Sequence, residues 1–136
     1  MVVSAFRSIL LVTLLSVACG GTPAGPSSVG MGIWGGDHVT LTVGDEASHL
    51  EFDCAHGDVP GQLSASHGEI AAKGTFVREH GGPIRVDESL DSHPALYSGT
   101  VSGNMMQLSI RLTDSGDVIG SFSLARGAAG RIAKCL

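Results

Sequence analysis

The chain has 136 residues, a formal net charge of -5, 15% charged and 4% aromatic residues, and 20 glycines. That length predicts a single domain, with a core built from Val, Leu, Ile and Met rather than from large rings. The few basic residues are scattered. This excludes a nucleic-acid grip, in which Lys and Arg displace counterions from phosphates, and also a basic patch for an anionic bilayer.

Residues 1–18 read as an export signal. Arg7 precedes an apolar run from Ile9 to Leu15. The run is shorter than the about 20 residues that span a bilayer, but it suits a secretory signal, and Ser16 and Ala18 are small enough for a cleavage site. The stretch Leu15-Ser16-Val17-Ala18-Cys19 resembles a bacterial lipobox. That resemblance implies cleavage before Cys19, acylation of its thiol, and a membrane partner reached through the lipid anchor. It also implies a place in the bacterial cell envelope, facing the periplasm or the cell surface. An ordinary signal peptide cut near Ala18 is the alternative.

Residues 19–31 follow as a linker of Gly, Ser and Pro without charge. Such a segment buries too little apolar surface to offset its ordering entropy, so a flexible leash is predicted.

The folded domain is expected over 32–136, where the hydrophobic period is two. Val39, Leu41 and Val43 alternate with His38, Thr40 and Thr42, and Leu50, Phe52 and Cys54 alternate with His49, Glu51 and Asp53. Met106, Leu108, Ile110 and Leu112 oppose Gln107, Ser109 and Arg111, and Phe122 and Leu124 continue the inward series. Alternation of this kind marks half-buried strands. Of Met105 and Met106, one should face inward and one outward. Turn residues at 43–48, 66–69, 102–104, 114–117 and 127–130 separate the runs, while 57–66 and 88–94 read as looser connections. The expected fold is all-β: a small antiparallel meander β-barrel of six to eight strands, with a β-sandwich as the alternative.

There are three cysteines. With Cys19 acylated, as the lipobox resemblance implies, Cys54 and Cys135 are left as an even pair in an oxidising compartment. A disulfide is then predicted, with two free thiols as the alternative. Closing that long loop would contribute about 4–5 kcal/mol by the chain-entropy model.

Gly32-Ile33-Trp34 resembles the G-x-W that opens the first strand of calycin-type barrels, the lipocalins and avidins. The resemblance implies that a late arginine, Arg126 or Arg131, packs beside Trp34. The rest of the lipocalin pattern is missing, so the barrel is expected to be filled by its own side chains. The domain also resembles a group of small bacterial exported lipoproteins through Trp34-Gly35-Gly36, "EFDCAHG" (51–57), "VREHGGP" (77–83), "YSG" (97–99) and the terminal "KCL". That likeness brings no activity with it.

Candidate chemistry centres on the six histidines. His38, His56 and His80 each stand near acids and glycines, so a metal site made from them is a possible reading, although no local spacing presets a pair. No catalytic residue is identified: no serine lies in a G-x-S-x-G turn, and Glu51, Asp53, Glu79, Asp87 and Glu88 are scattered. No phosphate loop precedes a helix, and no cofactor is expected unless it is a metal. Arg78, Glu79 and Arg85 flank "HGGPIR" and are candidate binding residues on a rim loop. The expected function is that of an envelope-tethered, non-catalytic module binding a protein or a small-molecule ligand, with no nucleic-acid partner. The alternatives are a metal carrier or small metal-dependent enzyme, and a hydrolase inhibitor.

Overall fold

The computed structural model describes residue 21 and residues 25–136. The signal expected over 1–18 and the lipidation expected at Cys19 lie outside the described residues. Within them the chain forms strands and no helix: β1 (Ser27–Ser28), β2 (Gly32–Gly36), β3 (Val39–Val43), β4 (Ala47–Phe52), β5 (Ala55–Pro60), β6 (Ser64–Ser66), β7 (Glu69–Arg78), β8 (Asp91–Ser102), β9 (Met105–Leu112) and β10 (Val118–Arg126).

Eight strands close into an antiparallel barrel in the order β2-β3-β4-β5-β7-β8-β9-β10. Closure comes from β10 returning to β2 through Arg126↔Trp34, and from β7 joining β8 from Glu69↔Thr100 to Arg78↔Asp91. The sandwich alternative is thereby set aside. β6 prolongs the line of β5: β7 pairs with β5 through Thr75–Arg78 and with β6 through Glu69 and Ile70. The short β1 then covers the outer edge of β6, an edge that would otherwise stay open to pairing with another chain.

The alternating residues point as their pattern demands. Val39, Leu41, Val43, Leu50, Phe52, Met106, Leu108, Ile110, Leu112 and Leu124 are all buried, and Phe122 packs half-buried against them. Met106 faces inward and Met105 outward. Phe52 sits between Phe76 and Phe122, with ring centroids 5.5 and 5.3 Å away. Burying aliphatic and aromatic side chains on this scale is the main force holding such a barrel.

Three expectations change. The leash over 19–31 does not stay free to its end. Ser27 and Ser28 pair with β6, Val29 is buried, and the Val29 amide donates to the Leu63 carbonyl at 2.8 Å. The ordered domain therefore begins at Ser27 rather than at residue 32. Next, 57–66 and 88–94 are largely strand rather than loose connection. The inward side of β5 is Ala55, Gly57 and Val59, and Gly57 adds no apolar signal. Its emptiness is structural, because a Cβ there would stand 2.0 Å from the Tyr97 hydroxyl. On β7 a Cβ at Gly74 would meet the Asp58 carbonyl oxygen at 2.2 Å and then the same ring at 3.1 Å, and the Tyr97 hydroxyl donates to the Thr75 carbonyl at 2.6 Å. Burial, aided by Asp58, pushes that phenol's pKa up. Finally, Cys54 does not face inward; it occupies the β4–β5 turn with φ 51°.

Strand directions sort the connections to two ends. The turns at 44–46, 67–68 and 103–104 lie where the leash joins the barrel. The turns at 37–38 and 53–54, the 79–90 excursion and the 113–117 turn lie at the far end. After β10 the tail runs back along β2, with Arg131 bridging to Asp37, and it ends on the far rim. There Cys135 is joined to Cys54, with Cα atoms 5.0 Å apart. Of the two arginines expected beside Trp34, Arg126 takes the place. It is the register partner of Trp34, and its guanidinium lies against Gly30 and donates to the Met31 carbonyl at 3.0 Å. Arg131 pairs with Asp37 instead.

Candidate functional site

The excursion between β7 and β8 is the longest connection in the barrel, and its chemistry follows from the parity of β7. Ile70, Ala72, Gly74 and Phe76 face inward, so Val77 faces outward. Val77 is nonetheless buried and does not belong to the interior cluster. The excursion folds back over it. Between them lies a partly open cleft of about 190 Å³, with Val77, Ile84 and Leu90 as its apolar wall. Ile84, Val86 and Leu90 are exposed large aliphatics on this one segment.

Charged groups frame the cleft. His80 Nδ1 is 3.0 Å from the Gly81 carbonyl, and its Nε2 meets Glu88. The second Glu88 oxygen accepts from the Arg85 amide at 3.2 Å, which gives the excursion its internal turn. His93 Nδ1 is 2.7 Å from Asp114, and its Nε2 is 2.8 Å from Asp91. Arg78 reaches His93 at 3.3 Å and Asp91 at 3.7 Å. The Gly81 carbonyl and the Glu88 carboxylate raise the His80 pKa, and Asp114 and Asp91 raise that of His93. The Arg85 amide and His80 hold Glu88 below the usual carboxylate range, and His93 does the same to Asp114.

A second network lies beside the cleft on the outer face of β4 and β5. His49 stands between Asp58 at 2.7 Å and Glu51 at 2.6 Å. Lys134 of the tail pairs with Glu51 and reaches Glu79 at 3.3 Å, and Glu79 pairs with His56 at 2.6 Å. The bond to Asp58 raises the His49 pKa against the desolvation that opposes it. Partial burial pushes Glu51 up and Lys134 down, but Lys134 and His49 together outweigh it for Glu51, and Glu51 and Glu79 together for Lys134, so Glu51 ends low and Lys134 high. His56 first, and then Lys134, hold Glu79 low.

The sequence-selected residues separate accordingly. His56, His80, Arg78 and Glu79 border the cleft. Arg85 lies on the open outer side of the excursion. His38 is on another turn and pairs with Asp53, which also accepts from the Ala133 amide. The three imidazoles proposed for a metal are thus each engaged by a different carboxylate. Among the described residues no group of three or more His, Cys, Asp or Glu is arranged to hold an ion. Sequence reasoning passed over His49 and His93, which have the densest carboxylate surroundings. The signal was present: His49 and Glu51, and Asp91 and His93, are two apart in strands, a spacing that puts both side chains on one face.

In comparisons with known proteins, no protein-family model, curated protein or solved structure matches the chain.

Proposed function

We propose that the protein is a lipid-anchored, non-catalytic binding module of a bacterial cell envelope, and that its far rim takes an apolar side chain of a protein partner. The observation that carries this is the excursion's exposed Ile84 and Leu90 lining a cleft of about 190 Å³, with exposed Val86 on the same segment. Pockets for drug-sized ligands run to about 300–1,000 Å³, so the cleft suits one aliphatic or aromatic anchor residue better than a whole small molecule. Exposed aliphatics beside such a pocket are the usual composition of an interface core. The rim carries Glu79, Asp87, Glu88 and Asp91 against Arg78 and Arg85, which favours a partner with Lys or Arg flanking its anchor.

The arrangement of the ends supports the tether. The leash joins the barrel opposite the excursion, so an anchor at Cys19 would leave the cleft facing away from the bilayer. The lipobox resemblance and the placing of Arg126 beside the Trp34 segment support kinship with small exported calycin-type barrels.

The test uses the secreted chain with Cys19→Ser, panned against a displayed peptide library. Enriched peptides should carry an apolar residue next to Lys or Arg. They should lose binding when Ile84, Val86 and Leu90 are all replaced by Ser. Enrichment that survives this triple replacement would overturn the assignment of the site. Palmitate incorporation that persists in Cys19→Ser would overturn the anchor.

A further inference from the structure

Three histidines share a geometry that the other three lack. His49 lies between Asp58 and Glu51, His80 between the Gly81 carbonyl and Glu88, and His93 between Asp114 and Asp91. Both ring nitrogens of each therefore face an oxygen that can only accept. A neutral imidazole has one N–H and one lone pair, so it satisfies one of these contacts and repels the other. Only the imidazolium, with two N–H donors, satisfies both acceptors; at His93 the Arg78 guanidinium, 3.3 Å from Nε2, competes by offering the neutral ring's lone pair a donor. His38 and His56 each meet a single carboxylate, and His67 meets the Ser66 hydroxyl, arrangements that a neutral ring satisfies equally well.

One of the three sites lies within the excursion and a second at its exit. His80 ties its first residues to Glu88 near its end. His93 ties Asp91, where the excursion passes into β8, to Asp114 on the turn between β9 and β10. We propose that protonated His80 keeps the 79–90 excursion closed on itself, with protonated His93 fixing its exit at Asp91, and that the excursion loosens from Val77 when these rings lose their protons. On deprotonation each ring keeps one hydrogen bond and turns a lone pair toward the other acceptor, so the tie opens on one side; at His93 that lone pair is taken by Arg78 and the bond to Asp91 is the one lost.

Every charged neighbour acts in a known direction. Around His80 stand Glu79, Arg85, Asp87 and Glu88 of the excursion, Arg78 from the end of β7, Asp91 of β8, His56 from β5, and the chain terminus, where the Leu136 carbonyl lies against Gly81. Around His93 stand Asp91 on its own strand, Asp114 on the next turn, and Arg78 of β7, which itself reaches Asp117 at 4.0 Å. Arg78 opposes the protonation of His93, and the two carboxylates favour it. The direction of titration given above for both rings agrees with the acceptor geometry.

For its biological consequence the clamp rests on the binding role proposed above: Val77 would be covered in mild acid and reachable at higher pH. The clamp itself does not need that role. Its test is amide hydrogen exchange on the full secreted chain at about pH 5.5 and 8.5, corrected for the intrinsic rates, since exchange reports local opening directly. Amides of 79–90 should be severalfold better protected at the lower pH relative to the barrel strands. His80→Gln with His93→Gln should abolish that difference while the strands stay protected. Equal protection of the native excursion at both values, or a pH difference retained in the double variant, would overturn the clamp. If the double variant does not fold, ring-proton NMR of the native chain decides. His80 and His93 titrating at or below the ordinary 6.5 would sink the proposal. No partner is added in these measurements, so a failed clamp leaves the binding role standing, and a failed peptide selection leaves the clamp standing.

Discussion

The two ends of the barrel are closed by different physics. At the leash end Trp34 is buried, its Nε1 donates to the Gly30 carbonyl at 2.9 Å, and Val29, Leu63 and Ala65 pack nearby. Arg126 is bound to a backbone carbonyl rather than to an acid. At the far end Arg78, Asp91, His93 and Asp114 gather at the mouth, the His49–Glu51–Lys134–Glu79 network lies outside it, and the disulfide joins the tail to the β4–β5 turn. Exposed ion pairs contribute little singly. The covalent tie therefore falls where the tail is otherwise held by exposed ties that depend on protons. One end is closed by burial around Trp34, while the other adds charged groups that can respond to their surroundings.

Removing the far end's covalent tie should have the largest effect. Cys54→Ser with Cys135→Ser opens a loop whose ends are 81 residues apart, and unfolding in urea should show a loss of about 4–5 kcal/mol if chain entropy governs the effect. Tail amides beyond residue 131 should lose protection before those of β9. An unchanged midpoint would mean that the tail's ion pairs already fix it. Trp34→Ala at the other end should cost about 3–5 kcal/mol, because it leaves a large void beside Gly30. The dependence of stability on pH should be the same in that variant as in the native chain. A changed dependence would break the contrast between the ends.

The pH profile sharpens the same contrast. His49, His80 and His93 have raised folded pKa values. Their stabilisation is complete below the ordinary imidazole value and is lost as pH rises through the folded values. Asp53, Glu51, Glu79, Glu88 and Asp114 have lowered folded values. Their stabilisation is complete above the ordinary carboxylate range and is lost as pH falls through the folded values. Stability at the far end should therefore peak between about pH 5 and 6.5. The urea midpoint should fall from the upper edge of that window toward alkaline pH, and His49→Gln should flatten the fall. A midpoint that climbs over this range would contradict the assignment of all three rings.

Much of the barrel could be read from the chain, and the gaps have a common cause. β3 and β9 are plain because Val39, Leu41 and Val43, and Met106 through Leu112, put a large side chain at every inward position. β5, β7 and β8 are obscure because Gly57, Gly74 and Gly99 stand at such positions. The space at Gly57 belongs to the Tyr97 hydroxyl, and that at Gly74 to the Asp58 carbonyl and the Tyr97 ring, each group remote in the chain from the glycine it meets. Such a strand reads as a loop until its partner is known. The pairing of Cys54 with Cys135 followed from counting thiols, but the outward turn of Cys54 depends on a positive φ that alternation does not report. At the rim, Arg78 and Glu79 were found through their loop. His93 was missed because the acid that defines it, Asp114, lies on another turn.

The smallest predicted effect probes a flaw in the leash end. Ser48 on β4 lies between Val43 and Val59 in register, is fully buried, and has no hydrogen-bond partner for its hydroxyl among the described residues. Burying an unpaired hydroxyl costs about 1–3 kcal/mol, and the void left by one oxygen returns only part of that. Ser48→Ala should therefore stabilise the protein by about 1 kcal/mol, seen as a higher urea midpoint with unchanged slope. The gain should be equal at about pH 5.5 and 8.5, since nothing that titrates in this range faces the site. A loss of stability would mean that the hydroxyl finds a carbonyl on a neighbouring strand, and the leash end would then depend on a buried polar contact as well as on burial.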